Sequence, residues 1–167
     1  MGNFVKDARI GKMAENIVLS LMNDAGFPSR FGHLTDNRWD IISQYGLHEI
    51  TTEVKFDKYE QQSGNIAIEV YNPKSGHPSG LTVTRAFIWA HVLADEYPVW
   101  FTMVASLKQY MDRTPPHKII DVGGDKNATL YLYPSHEILV DIFVRVDNIA
   151  PSALRKWVTQ QWEQQYE

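Results

Sequence analysis

The sequence contains no cysteine, which excludes disulfides and any metal site built on thiolates. It also lacks an apolar run of the length a membrane helix needs. The opening stretch, Met1-Gly2-Asn3-Phe4-Val5-Lys6-Asp7, has no apolar core of the kind a secretory signal carries. Nor is positive charge in excess: 16 Lys and Arg against 20 Asp and Glu leave a net charge of −4. A uniformly basic nucleic-acid binder is thereby excluded, and any phosphate contact must come from a local groove helped by a bound cation. The six histidines, His33, His48, His77, His91, His117 and His136, show no metal-ligand spacing. Repeats, low-complexity tracts and linkers are absent too. Together these absences point to a cytoplasmic protein with no membrane partner.

What is present is an ordinary globular composition, 44% hydrophobic and 22% charged. Its 167 residues suffice for one domain, residues 1–167, around a real core. From Asp7 to Ala25 the apolar residues Ile10, Ala14, Ile17, Val18 and Leu21 recur at helical spacing, and Gly26-Phe27-Pro28 supplies stop signals. At about 100° per residue, Glu15 falls at the edge of that stripe. There it either reaches over the rim of a cleft or is a solvated helix glutamate.

In Glu49-Ile-Thr-Thr-Glu-Val-Lys-Phe-Asp57 the side chains of a strand alternate between faces. Ile50, Thr52, Val54 and Phe56 share one face; Thr51, Glu53, Lys55 and Asp57 share the other. Glu53 and Lys55 are therefore neighbours, roughly 7 Å apart. Asp40 lies in a preceding strand-like run, Arg38 to Ser43, and Ser43 to His48 reads as a hairpin connection. Antiparallel pairing brings Asp40 beside Glu53. Two carboxylates with water and carbonyl oxygens suit a hard cation, Mg²⁺ or Mn²⁺. A lysine on the same face can orient the attacking water or help deprotonate it. The alternative is a solvated charge pair on an exposed strand face.

Asp40 followed by Glu53-Val54-Lys55, after a helix bearing Glu15, resembles the PD-(D/E)XK nuclease superfamily of restriction enzymes, Holliday-junction resolvases and phage exonucleases. The likeness covers about the first half of the chain, and Trp39 stands where the family has its proline. It implies a restriction endonuclease-like α/β core, a mixed central sheet flanked by helices in the order αβββαβ. The residue pattern by itself supports only α/β. The resemblance further implies Asp40, Glu53 and the Val54 carbonyl as metal ligands, Lys55 as the residue that positions water, and Glu15 as a support for a second metal or a water. It implies a Mg²⁺- or Mn²⁺-dependent deoxyribonuclease, endonuclease in preference to exonuclease, acting on DNA and working as a homodimer. A phage source would be in keeping with the family. A noncatalytic DNA-binding or assembly module on the same fold is the alternative.

Downstream, Gly64 to Tyr71 reads as an almost apolar third strand. Its Glu69 is expected to pair with Lys55 or Arg85, or to join the metal site. Asn72 to Gly80 is a loop in which Lys74 and His77 either contact nucleic acid or decorate a plain surface connection. Leu81 to Ala94 reads as a crossover helix, with Ser79, Thr82 and Arg85 at its start as a phosphate-binding cluster or as caps and an ion pair. Pro98 to Ser106 is an expected strand, Leu107 to Arg113 a short helix, Asp121 to Ala128 a loop and Thr129 to Tyr133 a strand. His136 to Val146 fits helix or strand. Pro151 to Glu167 is a helix with proline in its first turn and one modest apolar face for docking or dimerisation.

Overall fold

A computed structural model of the chain describes residues 2–32, 39–93, 98–122, 127–147 and 150–166, with side chains from Arg9 onward. The first element, helix α1 (Gly2–Asp24), buries Ala14, Val18, Leu21 and Met22, spaced to lie on one face. It ends as its sequence demands. Gly26 takes φ 83°, Phe27 N–H donates to the Met22 carbonyl at 3.0 Å, and Gly26 N–H donates to that of Asn23 at 2.9 Å. This is the paired closure of a Schellman motif, which needs a residue free to adopt the left-handed region.

Among the described residues, six strands form a mixed central sheet in the order β1-β2-β3-β6-β7-β10. These are β1 (Ser29–Phe31), β2 (Ile41–Tyr45), β3 (His48–Phe56), β6 (Ile88–Val92), β7 (Val99–Met103) and β10 (Val144–Val146). The β2–β3 hairpin pairs Tyr45 with His48 and Ile41 with Thr52. β6 runs parallel to β3, Glu53 opposite Trp89 and Lys55 opposite His91. One face of this sheet carries Ile41, Ile50, Val54, Ile88, Ala90 and Phe101, packed under α1 and the terminal helix α5 (Pro151–Tyr166) through Leu154 and Val158. The apolar face expected of α5 is thus used within the chain.

The opposite face meets a second sheet, ordered β5-β4-β9-β8: β4 (Asn65–Asn72), β5 (His77–Pro78), β8 (Lys118–Val122) and β9 (Ala128–Pro134). Trp89 from the first sheet, Ile66, Ile68 and Tyr133 from the second, and Leu107 and Ile138 from helices α3 (Val104–Arg113) and α4 (Ser135–Ile142) make the core between them. In β4, Ile66 stands opposite Tyr133, and the register slips between Glu69 and Tyr71, leaving Val70 as a bulge.

Three expectations are corrected here. Gly64 to Tyr71 is a strand, but it pairs with β9 in the second sheet instead of extending the β2–β3 hairpin. Leu81 to Ala94 contains no crossover helix among its described residues: a single 3₁₀ turn (Gly80–Thr82) leads into β6. Ile88 to Val92 is buried at every position, and a run buried on both faces carries no alternation to distinguish strand from helix. The connection from β3 to β6 therefore consists of the short helix α2 (Glu60–Ser63), β4, β5 and this turn, so the αβββαβ order is not reproduced in that stretch. Third, Asp121 and Val122 belong to β8, not to a loop. His136 to Val146 resolves into both alternatives, α4 and then β10, divided at Phe143.

The turn before β6 is seated tightly on β4. Gly80 takes φ 52°, and a Cβ built on it would stand 2.3 Å from the Glu69 carbonyl oxygen. Gly80→Ala is therefore expected to destabilise the protein by at least about 2 kcal/mol, from combined backbone strain and overlap. Urea denaturation measures this; an unchanged midpoint would show that the turn does not press on β4.

Candidate functional site

The open end of the hairpin brings the two carboxylates together. Ile41 already stands opposite Thr52, and the Asp40 N–H donates to the same Thr52 carbonyl at 2.9 Å, so Asp40 bulges out at the end of the ladder, close enough to Glu53 for their charges to interact. There the Asp40 side chain takes the place of a main-chain acceptor: its Oδ2 accepts the Val54 N–H at 2.7 Å. Glu53 is buried and held at both oxygens. Lys55 Nζ lies 2.5 Å from its Oε1, and the Thr84 hydroxyl donates to Oε2 at 3.2 Å. Trp89, opposite Glu53 on β6, sits under the ammonium, with Nζ 5.7 Å from the ring centroid. Glu15 reaches the site from α1, steadied by Lys12 Nζ at 2.8 Å.

Charge interactions tie these groups into one site. Burial, followed by the charge of Glu53, pushes the Asp40 carboxyl up to about 6, with Glu15 adding to the effect and the Val54 amide and Lys55 opposing it. Burial alone would lower the Lys55 ammonium. The Glu53 charge and hydrogen bond, with Asp40 and Glu69, outweigh burial and hold Lys55 above its ordinary value. Lys55 is thus a cation at neutral pH, fit to orient a water or stabilise an anion but not to act as a resting base.

Sequence reasoning set Asp57 on this face but missed its partner, His91. Asp57 accepts the N–H of Ala67 at 2.9 Å and of Tyr59 at 3.0 Å. Its Oδ2 lies 3.7 Å from Nε2 of the fully buried His91. The Trp89 indole N–H donates to His91 Nδ1 at 3.2 Å, which assigns the remaining imidazole proton to Nε2, facing Asp57. Burial opposes the Asp57 charge, but His91 and the two amides overcome it and hold the carboxyl below its ordinary value. The signal available in the sequence was the alternation that puts Asp57 beside Lys55. His91 could not be placed opposite while β6 was read as a helix.

The remaining candidates fall differently. Glu69 lines a cleft of about 370 Å³ together with Lys55 and Asp57, and of its two proposed partners it is Lys55 that feels its charge. The phosphate cluster is not formed, because the helix that would have created it is absent. The Thr82 hydroxyl instead donates to the Val70 carbonyl at 2.7 Å, the Ser79 hydroxyl is buried with no hydrogen-bond partner among the described residues, and Arg85 is exposed. Lys74 and His77 stand exposed about the β4–β5 turn and do not line the cleft. Arg38, Asp125 and Lys126 lie outside the described residues.

Among the described residues no three His, Cys, Asp or Glu side chains converge as a ready metal cluster, and no helix is long and apolar enough to cross a membrane. Comparisons with protein-family models, with curated proteins and with solved structures return no match.

A carboxyl whose folded pKa of about 6 exceeds its ordinary 3.8 binds its proton more tightly folded than unfolded. Ionised Asp40 therefore costs stability above about pH 6, and the cost vanishes below about pH 4. Asp40→Asn, which keeps an oxygen for the Val54 amide, should stabilise the metal-free protein by on the order of 1–3 kcal/mol near pH 8. The gain should shrink toward zero as the pH falls to about 4. Thermal melts in EDTA across that range check it; a variant no more stable than the parent at high pH would contradict the assigned crowding.

Proposed function

We propose that the chain is a divalent-cation-dependent nuclease that hydrolyses phosphodiester bonds in DNA, an endonuclease in preference to an exonuclease. The observation that carries this reading is the convergence of Asp40, bonded to the Val54 amide, with Glu53 and Lys55, whose charges act on it. The likeness to a restriction endonuclease-like core rests on α1, the β2–β3 hairpin and the parallel β3–β6 pair; the route between β3 and β6 departs from it.

The donor set fits Mg²⁺ or Mn²⁺. Asp40 and Glu53 offer hard oxygen ligands, and their mutual crowding is what a cation between them would relieve. Two carboxylates suffice, because Mg²⁺ keeps several waters and completes its shell with substrate phosphate. The Val54 carbonyl would add a third oxygen, and Glu15 would hold a second metal or a water. Bound there, the cation supplies a Lewis acid at the phosphoryl oxygen and a lowered pKa for water.

The chain's own residues do the rest. Asp40 must be ionised to bind, so cation affinity should climb as the pH rises through about 6. Thr84 fixes one oxygen of Glu53 and so limits its rotation. Lys55, kept cationic by its carboxylate neighbours, directs the attacking water and stabilises charge developing on the phosphoryl oxygens. A homodimer would supply the two sites needed to cut both strands. The second reading is a noncatalytic DNA-binding or assembly module. The Glu53–Lys55 ion pair favours it, since each group already has a partner without a cation.

Cleavage of linear, circular, single-stranded and branched DNA with Mg²⁺ or Mn²⁺ tests the proposal, with Lys55→Ala and Glu53→Ala in parallel. Each substitution should lower the rate at least about 100-fold, and EDTA should abolish cleavage. Cleavage that survives both substitutions would place the activity elsewhere, while DNA binding without cleavage would select the noncatalytic module.

A further inference from the structure

The cleft beside Lys55 runs past the end of β3 and is unexplained by the hydrolytic groups alone. Ile10 and Gly11 of α1, Glu69 of β4 and Leu130 of β9 line it. Tyr59 stands at it, 61% exposed, with Lys58 Nζ 5.0 Å from the ring centroid. We propose that this cleft is a subsite for one unpaired nucleotide of the substrate strand, so that the chain acts on single-stranded, frayed or branched nucleic acid and not on continuous duplex. The proposal rests on the nuclease reading for the identity of the strand's phosphate site at Lys55.

Size is the first reason. About 370 Å³ lies at the lower end of pockets that enclose small molecules, roughly 300–1,000 Å³. One nucleotide fits such a space, whereas a duplex whose major groove alone is about 12 Å wide does not enter it. Charge is the second. Lys55 and Lys58 line the cleft as cations that suit a phosphate, and Glu69 lines it as a carboxylate that can accept from the N–H groups of a base. The walls suit a base as well, with aliphatic Ile10 and Leu130 and an exposed tyrosine ring on which a base can stack.

Gly11 is the third reason and an independent one. Glycine is the poorest helix former after proline, yet Gly11 sits within α1. A Cβ at Gly11 would meet nothing within 4 Å, so no close approach of a neighbour requires glycine. What its missing side chain does leave is room, at the wall of the cleft. The bulge at Val70 breaks the alternation of β4 immediately after Glu69, the kind of irregularity that re-aims side chains next to binding sites.

The test is fluorescence anisotropy with a labelled single-stranded oligonucleotide in EDTA, where cleavage cannot interfere, with closed circular duplex as competitor. The parent should bind the single strand and resist the duplex. Gly11→Leu should fold with an undiminished melting temperature yet bind at least about tenfold more weakly. Gly11→Ala should keep binding. Tyr59→Ala, at an exposed position that the fold does not rely on, should weaken binding about fivefold or more. Equal binding by the parent and Gly11→Leu overturns the subsite, as does a parent that binds no single strand or is displaced equally well by circular duplex. The two readings fail separately. If no DNA is cleaved but Gly11→Leu still loses binding, the hydrolytic assignment falls and the subsite stands. If cleavage depends on Glu53 and Lys55 while Gly11→Leu binds normally, the subsite alone falls.

Discussion

The Asp57 carboxylate is the tie between the two sheets, and the rest of the architecture depends on it. It sits just past the end of β3 in the first sheet and accepts the amide of Ala67 on β4 in the second. That amide lies on a strand edge which β5 covers only farther along, at Tyr71 and Asn72. Without Asp57 it would be a donor left on a half-buried edge, a costly state. The same carboxylate closes the turn into α2 through Tyr59 and faces His91 from below. Burying an ionised group is tolerable here because two amides bond it and His91 Nε2 stands 3.7 Å away. One side chain thus fixes where β4 lies relative to β3, and with that the width of the cleft and the distance of Glu69 from Lys55.

Around that tie the site is a study in uneven charge. Glu15, Asp40, Glu53 and Glu69 all act on one another or on a single ammonium, Lys55. Fold stability does not call for that arrangement, as the raised pKa of Asp40 indicates. An excess of carboxylate held in place by main-chain bonds from Val54 and a hydroxyl from Thr84 is chemically a receptor for positive charge. The stiffness of the receptor comes from β3, which carries Glu53 and Lys55, and from the two bonds that tie Asp40 to it through Thr52 and Val54.

Much of this was legible in the sequence wherever the information was local. The α1 stripe, its glycine stop and the β2–β3 hairpin all follow from periods of 3.6 and 2 and a short turn, while the bulge at Asp40 does not. Legibility failed where burial erased the period. Ile88 to Val92 lies in the middle of the sheet, with apolar packing on both faces, and its pattern suits a helix equally well. That one misreading removed the parallel partner of β3, hid His91, and created a helix terminus for Ser79, Thr82 and Arg85 that does not exist. The destination of β4 was also beyond local reasoning, since its apolar residues fix that it is a strand but not which strand it pairs with. At His136 to Val146 the ambiguity was real: helix and strand adjoin within eleven residues.

The pairing of β4 with β9 has a further meaning in time. The β2–β3 hairpin closes across the Gly46-Leu47 turn, a local contact with little chain entropy to lose. Ile66 meets Tyr133 only after most of the intervening chain has been gathered, and β3 meets β6 only across the excursion that contains β4. Contacts that span long stretches form late and slow folding. The carboxylates thus ride on one of the earliest contacts available to the chain, while the cleft beside them is closed by some of the last. A nascent chain acquires its charged hairpin before it acquires the walls that select what may approach it.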